Sequence, residues 1–80
     1  MCNQGQDQVN TAEPLSVMVN GELRRFIAPQ TVASLLELLG IEADRVAVEM
    51  NKTIIRKRDW AQTAAPNGAQ IEIVQFVGGG

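Results

Sequence analysis

Residues 15–40 read LSVMVNGELRRFIAPQTVASLLELLG, and this stretch decides the fold. Leu15, Val17 and Val19 alternate with Ser16, Met18 and Asn20, the two-residue period of a strand with one buried face. Asn20-Gly21 follows, the dipeptide best suited to a two-residue hairpin turn, because both central positions need positive φ. Glu22 to Ala28 returns as a second strand with Leu23 and Phe26-Ile27 as its apolar part. Its alternation is imperfect, which leaves room for a bulge or a shift of register. Pro29 stops the strand. Thr31 is a good N-cap, since its hydroxyl can accept a hydrogen bond from a free helix N–H. Val32, Leu35, Leu36 and Leu39 then fall at i, i+3, i+4 and i+7, one apolar face of a short helix. Gly40 supplies the left-handed residue that ends it.

Downstream, Val46 to Met50 is a short apolar run suited to a strand. Asn51-Lys52 offers a turn, and Thr53 to Ile55 a brief return strand. Arg56-Lys57-Arg58-Asp59-Trp60 is polar around one aromatic; Trp60 is expected to cover an edge of the core, its indole N–H facing a partner or water. Ala65-Pro66-Asn67-Gly68 reads as a loop and turn, and Ala69 to Val77 as the longest strand. Upstream, residues 1–14 are polar and without period, as in a disordered leader. The chain therefore divides into a leader (1–14), one domain (15–77) and a flexible glycine tail (78–80).

The order β-β-α-β-β-β is that of an α+β fold. If the first and last strands are neighbours, a right-handed crossover lays the helix over the sheet. That arrangement is the ubiquitin-like β-grasp, a mixed sheet with one main helix packed on one face; other small α+β folds are compatible with the same order of elements.

Composition narrows the function. Eighty residues make one small domain with a marginal core. A formal charge of −2 gives no support for nucleic acid or an anionic membrane as partner. Cys2 is the sole cysteine, so no internal disulfide can form, which fits a reducing compartment. No apolar run reaches the length of a membrane span, and no signal peptide opens the chain, so the expected location is cytoplasmic. There is no histidine, hence no Ser-His or Cys-His nucleophile pair, and no metal site or catalytic residue is expected. Arg56, Lys57 and Arg58 read as a solvated turn.

Gly78-Gly79-Gly80 is the feature that carries chemistry. Glycine packs nothing and costs conformational entropy, so such a tail does not strengthen a fold. It offers reach and thinness, able to thread a narrow channel with its carboxylate leading. A free carboxylate is a poor electrophile and must be activated. Transfer of AMP from ATP creates a good leaving group, which an ionised thiol or persulfide can displace. The product is a thioester or a terminal thiocarboxylate.

The ending from Ile71 to Gly80, IEIVQFVGGG, resembles the ThiS family of thiamine-biosynthesis sulfur carriers. So do the segment from Val46 to Trp60, the Asn20-Gly21 hairpin and the helix start at Thr31. The likeness covers residues 15–80. Two features depart from the family pattern: a longer polar leader, and Ala69 where an acidic residue commonly follows the loop glycine. The resemblance implies that Gly80 is the covalent site, with Gly78 and Gly79 as tail. It implies a ThiF-type adenylating enzyme that consumes ATP and a cysteine desulfurase that relays a persulfide. It also implies a thiazole synthase, ThiG, that takes sulfur from the thiocarboxylate. No stably bound cofactor is implied. On this reading the chain is a co-substrate and not an enzyme. The alternatives are the sulfur carrier of molybdopterin synthase and a ubiquitin-like binding or conjugation module.

Alternation of the last strand puts Ile71 and Ile73 toward the helix and Glu72, Val74 and Phe76 on the opposite face. Val74 and Phe76 are thus expected to dock the partner enzymes, with Met18 joining them from the first strand.

Overall fold

The computed structural model describes residues 13–76. Strands β1 (Glu13–Val19) and β2 (Glu22–Ala28) form the hairpin. Its turn places Asn20 at φ 51° and Gly21 at φ 82°, the positive values its sequence demands. Register runs unbroken from Glu13 opposite Ala28 to Val19 opposite Glu22, so β2 has no bulge. Its irregular pattern has another cause. β2 is an edge strand of the sheet, and Arg24, in the core-facing phase opposite Val17, is exposed there.

β1 begins two residues before the expected Leu15. Pro14 is tolerated because the backbone nitrogens of Ser16 and Met18 bond toward Asn67 and Ala69, on the side away from β2. The nitrogen of Pro14 shares that side, where β1 is paired with β5 only at Met18 and Val19.

Helix α1 (Val32–Leu39) starts as its cap predicts. The Ser34 N–H donates to Thr31 Oγ1 at 3.1 Å, and the Thr31 N–H donates to Ser34 Oγ at 2.8 Å. Two free donors are thereby satisfied reciprocally. Gly40, at φ 74°, closes the helix with its N–H on the Glu37 carbonyl. Replacing Thr31 by Ala should cost about 1 kcal/mol. A urea midpoint lowered at constant m-value would register that cost; an unchanged midpoint would show that the cap contributes nothing.

The chain then makes a 3-10 turn (Ala43–Arg45), strands β3 (Val46–Met50) and β4 (Thr53–Ile55), a longer 3-10 segment (Lys57–Gln62) and strand β5 (Gln70–Gln75). The five strands lie in the order β2-β1-β5-β3-β4. β1 and β5 run parallel and every other pair is antiparallel. Helix α1 packs on one face, where Leu15, Val17 and Val19 meet Val32, Leu35, Leu36, Val48 and Ile71. This is the β-grasp arrangement expected from the order of elements.

Two expectations are corrected. β5 has six residues and is shorter than the seven-residue β1 and β2. Ala69 does not open the strand, because its N–H still closes the loop onto the Pro66 carbonyl at 3.0 Å. Val77 lies outside the described residues. Trp60 lies within the core and not at its edge: it is 4% exposed, and the partner expected for its Nε1–H is the Ile55 carbonyl, at 2.9 Å. The 3-10 segment turns the ring into the core, and the last residue of β4 supplies an internal acceptor.

Candidate functional site

The open face of the sheet, opposite α1, carries the candidate surface. Cross-strand pairs share a face, so pairing identifies its members. Val74 lies opposite Ala47 and is 61% exposed. Phe76, just past β5, is 54% exposed, and its N–H donates to the Arg45 carbonyl at 2.7 Å. Both side chains stand at the end of β5 from which the glycines follow.

Met18 is half-buried on the same face but stands elsewhere on it. Its neighbours are Leu23 on β2 and Gln70 on β5. Gln70 precedes Val74 by about 13 Å of strand, taking roughly 3.3 Å per residue. The structure therefore does not bring Met18 together with Val74 and Phe76.

Sequence reading missed other members of the surface. Ile54 of β4 is 73% exposed, and with Ala47, Val48, Glu49, Glu72 and Val74 it lines a shallow hollow of about 170 Å³. Its apolar character in the phase opposite to buried-side Ile55 was the available signal. Glu49 and Glu72 face each other across β3 and β5 within that hollow.

A second missed feature is how β5 is held at its ends. At its start, the Asn51 side chain accepts from the Gln70 N–H at 2.9 Å, and the Asn51 N–H donates to the Gln70 carbonyl at 2.7 Å. Further along, β1 has already turned away, and Asn20 takes over. Its N–H donates to the Ile71 carbonyl at 2.8 Å. Its Oδ1 accepts from the Ile73 N–H at 2.7 Å, and its Nδ2 donates to the Ile73 carbonyl at 3.2 Å. A side-chain amide has one acceptor and one donor group, as a peptide does, so it can stand in for a missing strand residue.

The basic cluster is a solvated turn. Lys57 pairs with Asp44, and its hydrogen bond and positive charge hold the Asp44 carboxyl below the usual carboxylate range. Arg56 and Arg58 are exposed. Gly78, Gly79, Gly80 and Cys2 lie outside the described residues. Among the described residues, no helix is long and apolar enough to cross a membrane.

The chain is similar to known proteins in sequence and in fold. The model of the ThiS family matches residues 17–80. Over 66 residues, 82% of the chain, a thiazole synthase of Paramagnetospirillum magneticum is 46% identical and one of Magnetococcus marinus is 35% identical. The chain spans about 20% of the length of each of these two relatives. The sulfur carrier protein ThiS of Escherichia coli (strain K12) is 32% identical over 66 residues, and the match takes in 100% of it. The crystal structure of a thiamine biosynthesis protein (ThiS) from Geobacter metallireducens superposes with a TM-score of 0.73 at 28% identity, covering 82% of this chain and 100% of that one.

Proposed function

The chain belongs to the ThiS family, and on that premise we propose that it is a cytoplasmic sulfur carrier for thiamine biosynthesis, acted on by enzymes and not itself one. The observation that carries this reading is a match that takes in 100% of a sulfur carrier and 82% of this chain, with Gly78-Gly79-Gly80 inside the stretch that the family model matches. A ThiF-type enzyme transfers AMP from ATP to the Gly80 carboxylate and releases pyrophosphate. A persulfide sulfur, delivered by a cysteine desulfurase, attacks the carbonyl and AMP departs. Cleavage of the resulting S–S bond by a thiol leaves the thiocarboxylate. Thiazole synthase then takes that sulfur; two relatives that contain a matching segment bear that enzyme's name. ATP is consumed by the partner, and no cofactor stays on the carrier.

Val74 and Phe76 dock these enzymes. They are exposed, apolar and next to the start of the tail, so a partner seated on them has the tail within reach. Met18, with Leu23, extends the same face at a distance. Phe76→Ser should weaken binding to the adenylating enzyme at least tenfold, the scale of a modest interface anchor. The urea midpoint should barely move, because the ring is already more than half exposed. A large loss of stability with unchanged affinity would place Phe76 in the core and remove it from the docking surface.

Intact mass tests the function as a whole. The protein is weighed before and after incubation with ATP, a ThiF-type enzyme, a cysteine desulfurase and cysteine. Replacement of one oxygen by sulfur, localised to Gly80, supports the carrier role. No mass change, with enzymes proven active on another carrier, rejects it. Capture of thiazole synthase in preference to the large subunit of molybdopterin synthase identifies the acceptor.

A further inference from the structure

We propose that Asn20 is a positioning residue for the tail: its side-chain amide holds the main chain at Ile73 and so steadies, on the β1 side, the strand that carries the tail. This inference rests on the carrier reading above.

The two sides of β5 are held differently. Toward β3 the pairing continues to Gln75 opposite Val46, and the Phe76 N–H extends it to the Arg45 carbonyl. Toward β1 the paired residues are Met18 with Gln70 and Val19 with Ile71. Beyond them the hairpin turn carries β1 away. The N–H and C=O of Ile73 on that side are met by Asn20 Oδ1 and Nδ2. Without the amide, the strand end would be secured along the β3 side only.

The turn itself does not require this amide. Asn20 sits at φ 51°, a conformation that glycine adopts at least as readily. An Asn20-to-Gly change therefore separates the two roles, keeping the turn while deleting the clamp. Asp also tolerates this conformation and keeps the acceptor, but it has no donor for the Ile73 carbonyl.

Reach and orientation set the rate of the activation step, in which a reacting atom must come within about 3.5 Å of its partner. Docking uses Val74 and Phe76, which the substitution leaves in place. Loss of the clamp should therefore lower kcat and spare KM.

The experiment uses the full chain with the ThiF-type enzyme and ATP, following adenylation by pyrophosphate release, together with amide hydrogen exchange on the free protein. In Asn20→Gly the Ile73 amide should exchange about tenfold faster, the scale of one or two ordinary hydrogen bonds. The Leu35 amide, bonded to the Thr31 carbonyl in α1, should be unaffected. The same variant should show kcat reduced about tenfold at constant KM, and Asn20→Asp should fall between it and the parent. Unchanged exchange at Ile73 would overturn the clamp. Faster exchange with unchanged kcat would leave Asn20 a purely structural residue and overturn the positioning role, as would a defect confined to KM. Failure of the parent protein itself to react would instead reject the carrier reading, and this assignment with it.

Discussion

Deleting Gly79 and Gly80 is expected to lower the rate of sulfur gain by more than about 100-fold while leaving the affinity for the adenylating enzyme unchanged. The truncated chain still ends in a glycine carboxylate, now on Gly78, whose intrinsic reactivity is the same. What it loses is reach. Two residues extend the chain by at most about 7 Å. Misplacement of a reacting group by as little as 1 Å can cost about 100-fold in rate, so a deficit several times larger is decisive. Val74 and Phe76 remain on the sheet, so binding is preserved and rate is lost. Intact mass after incubation with the activating enzymes, with a separate binding titration, reads both quantities. A truncated protein modified at the parent rate would show that Gly80 is not the reacting residue. Equal losses of rate and affinity would show that the terminal glycines contribute to docking.

The largest effect on stability should come from Trp60. The ring is 4% exposed, packed in the core beneath α1, and its indole N–H satisfies the Ile55 carbonyl. Trp60→Ala removes the largest side chain of the core and should cost about 3–5 kcal/mol. A domain of this size has about 5–10 kcal/mol in total, so a substantial unfolded fraction is expected on mild warming. Trp60→Phe separates packing from hydrogen bonding. It keeps an aromatic in place but leaves the Ile55 carbonyl without its donor, which should cost about 1–3 kcal/mol. Urea unfolding followed by far-UV circular dichroism measures both variants. If Trp60→Ala unfolds at the parent midpoint, the ring is not a core residue.

These two expectations differ in how readily they follow from residue order. The tail stood out because glycine has no side chain to pack, so three in succession are not there to strengthen an element. The burial of Trp60 did not. Its neighbours Arg56, Lys57, Arg58 and Asp59 are all charged, and a polar run around one aromatic reads as the edge of a core and not its interior. Only the 3-10 turn of Lys57–Gln62, which points those charges outward and the ring inward, makes Trp60 a core residue.

What the sequence determined by itself is the set of local elements. The Asn20-Gly21 turn, the Thr31 cap, the apolar stripe of Val32, Leu35, Leu36 and Leu39, and the Gly40 stop are each written within a few residues, because φ preference, capping and periodicity act over one turn of chain. The alternation of β5 likewise placed Val74 and Phe76 on the exposed face. The tertiary structure decided which elements are neighbours. It set Ile54 and Ala47 beside Val74, stood Met18 apart from it, and brought the amide of Asn20 to Ile73, 53 residues away. Such contacts join segments whose own conformations are satisfied separately. They arise only when the apolar faces of the sheet and the helix close on one another, and no local preference encodes them.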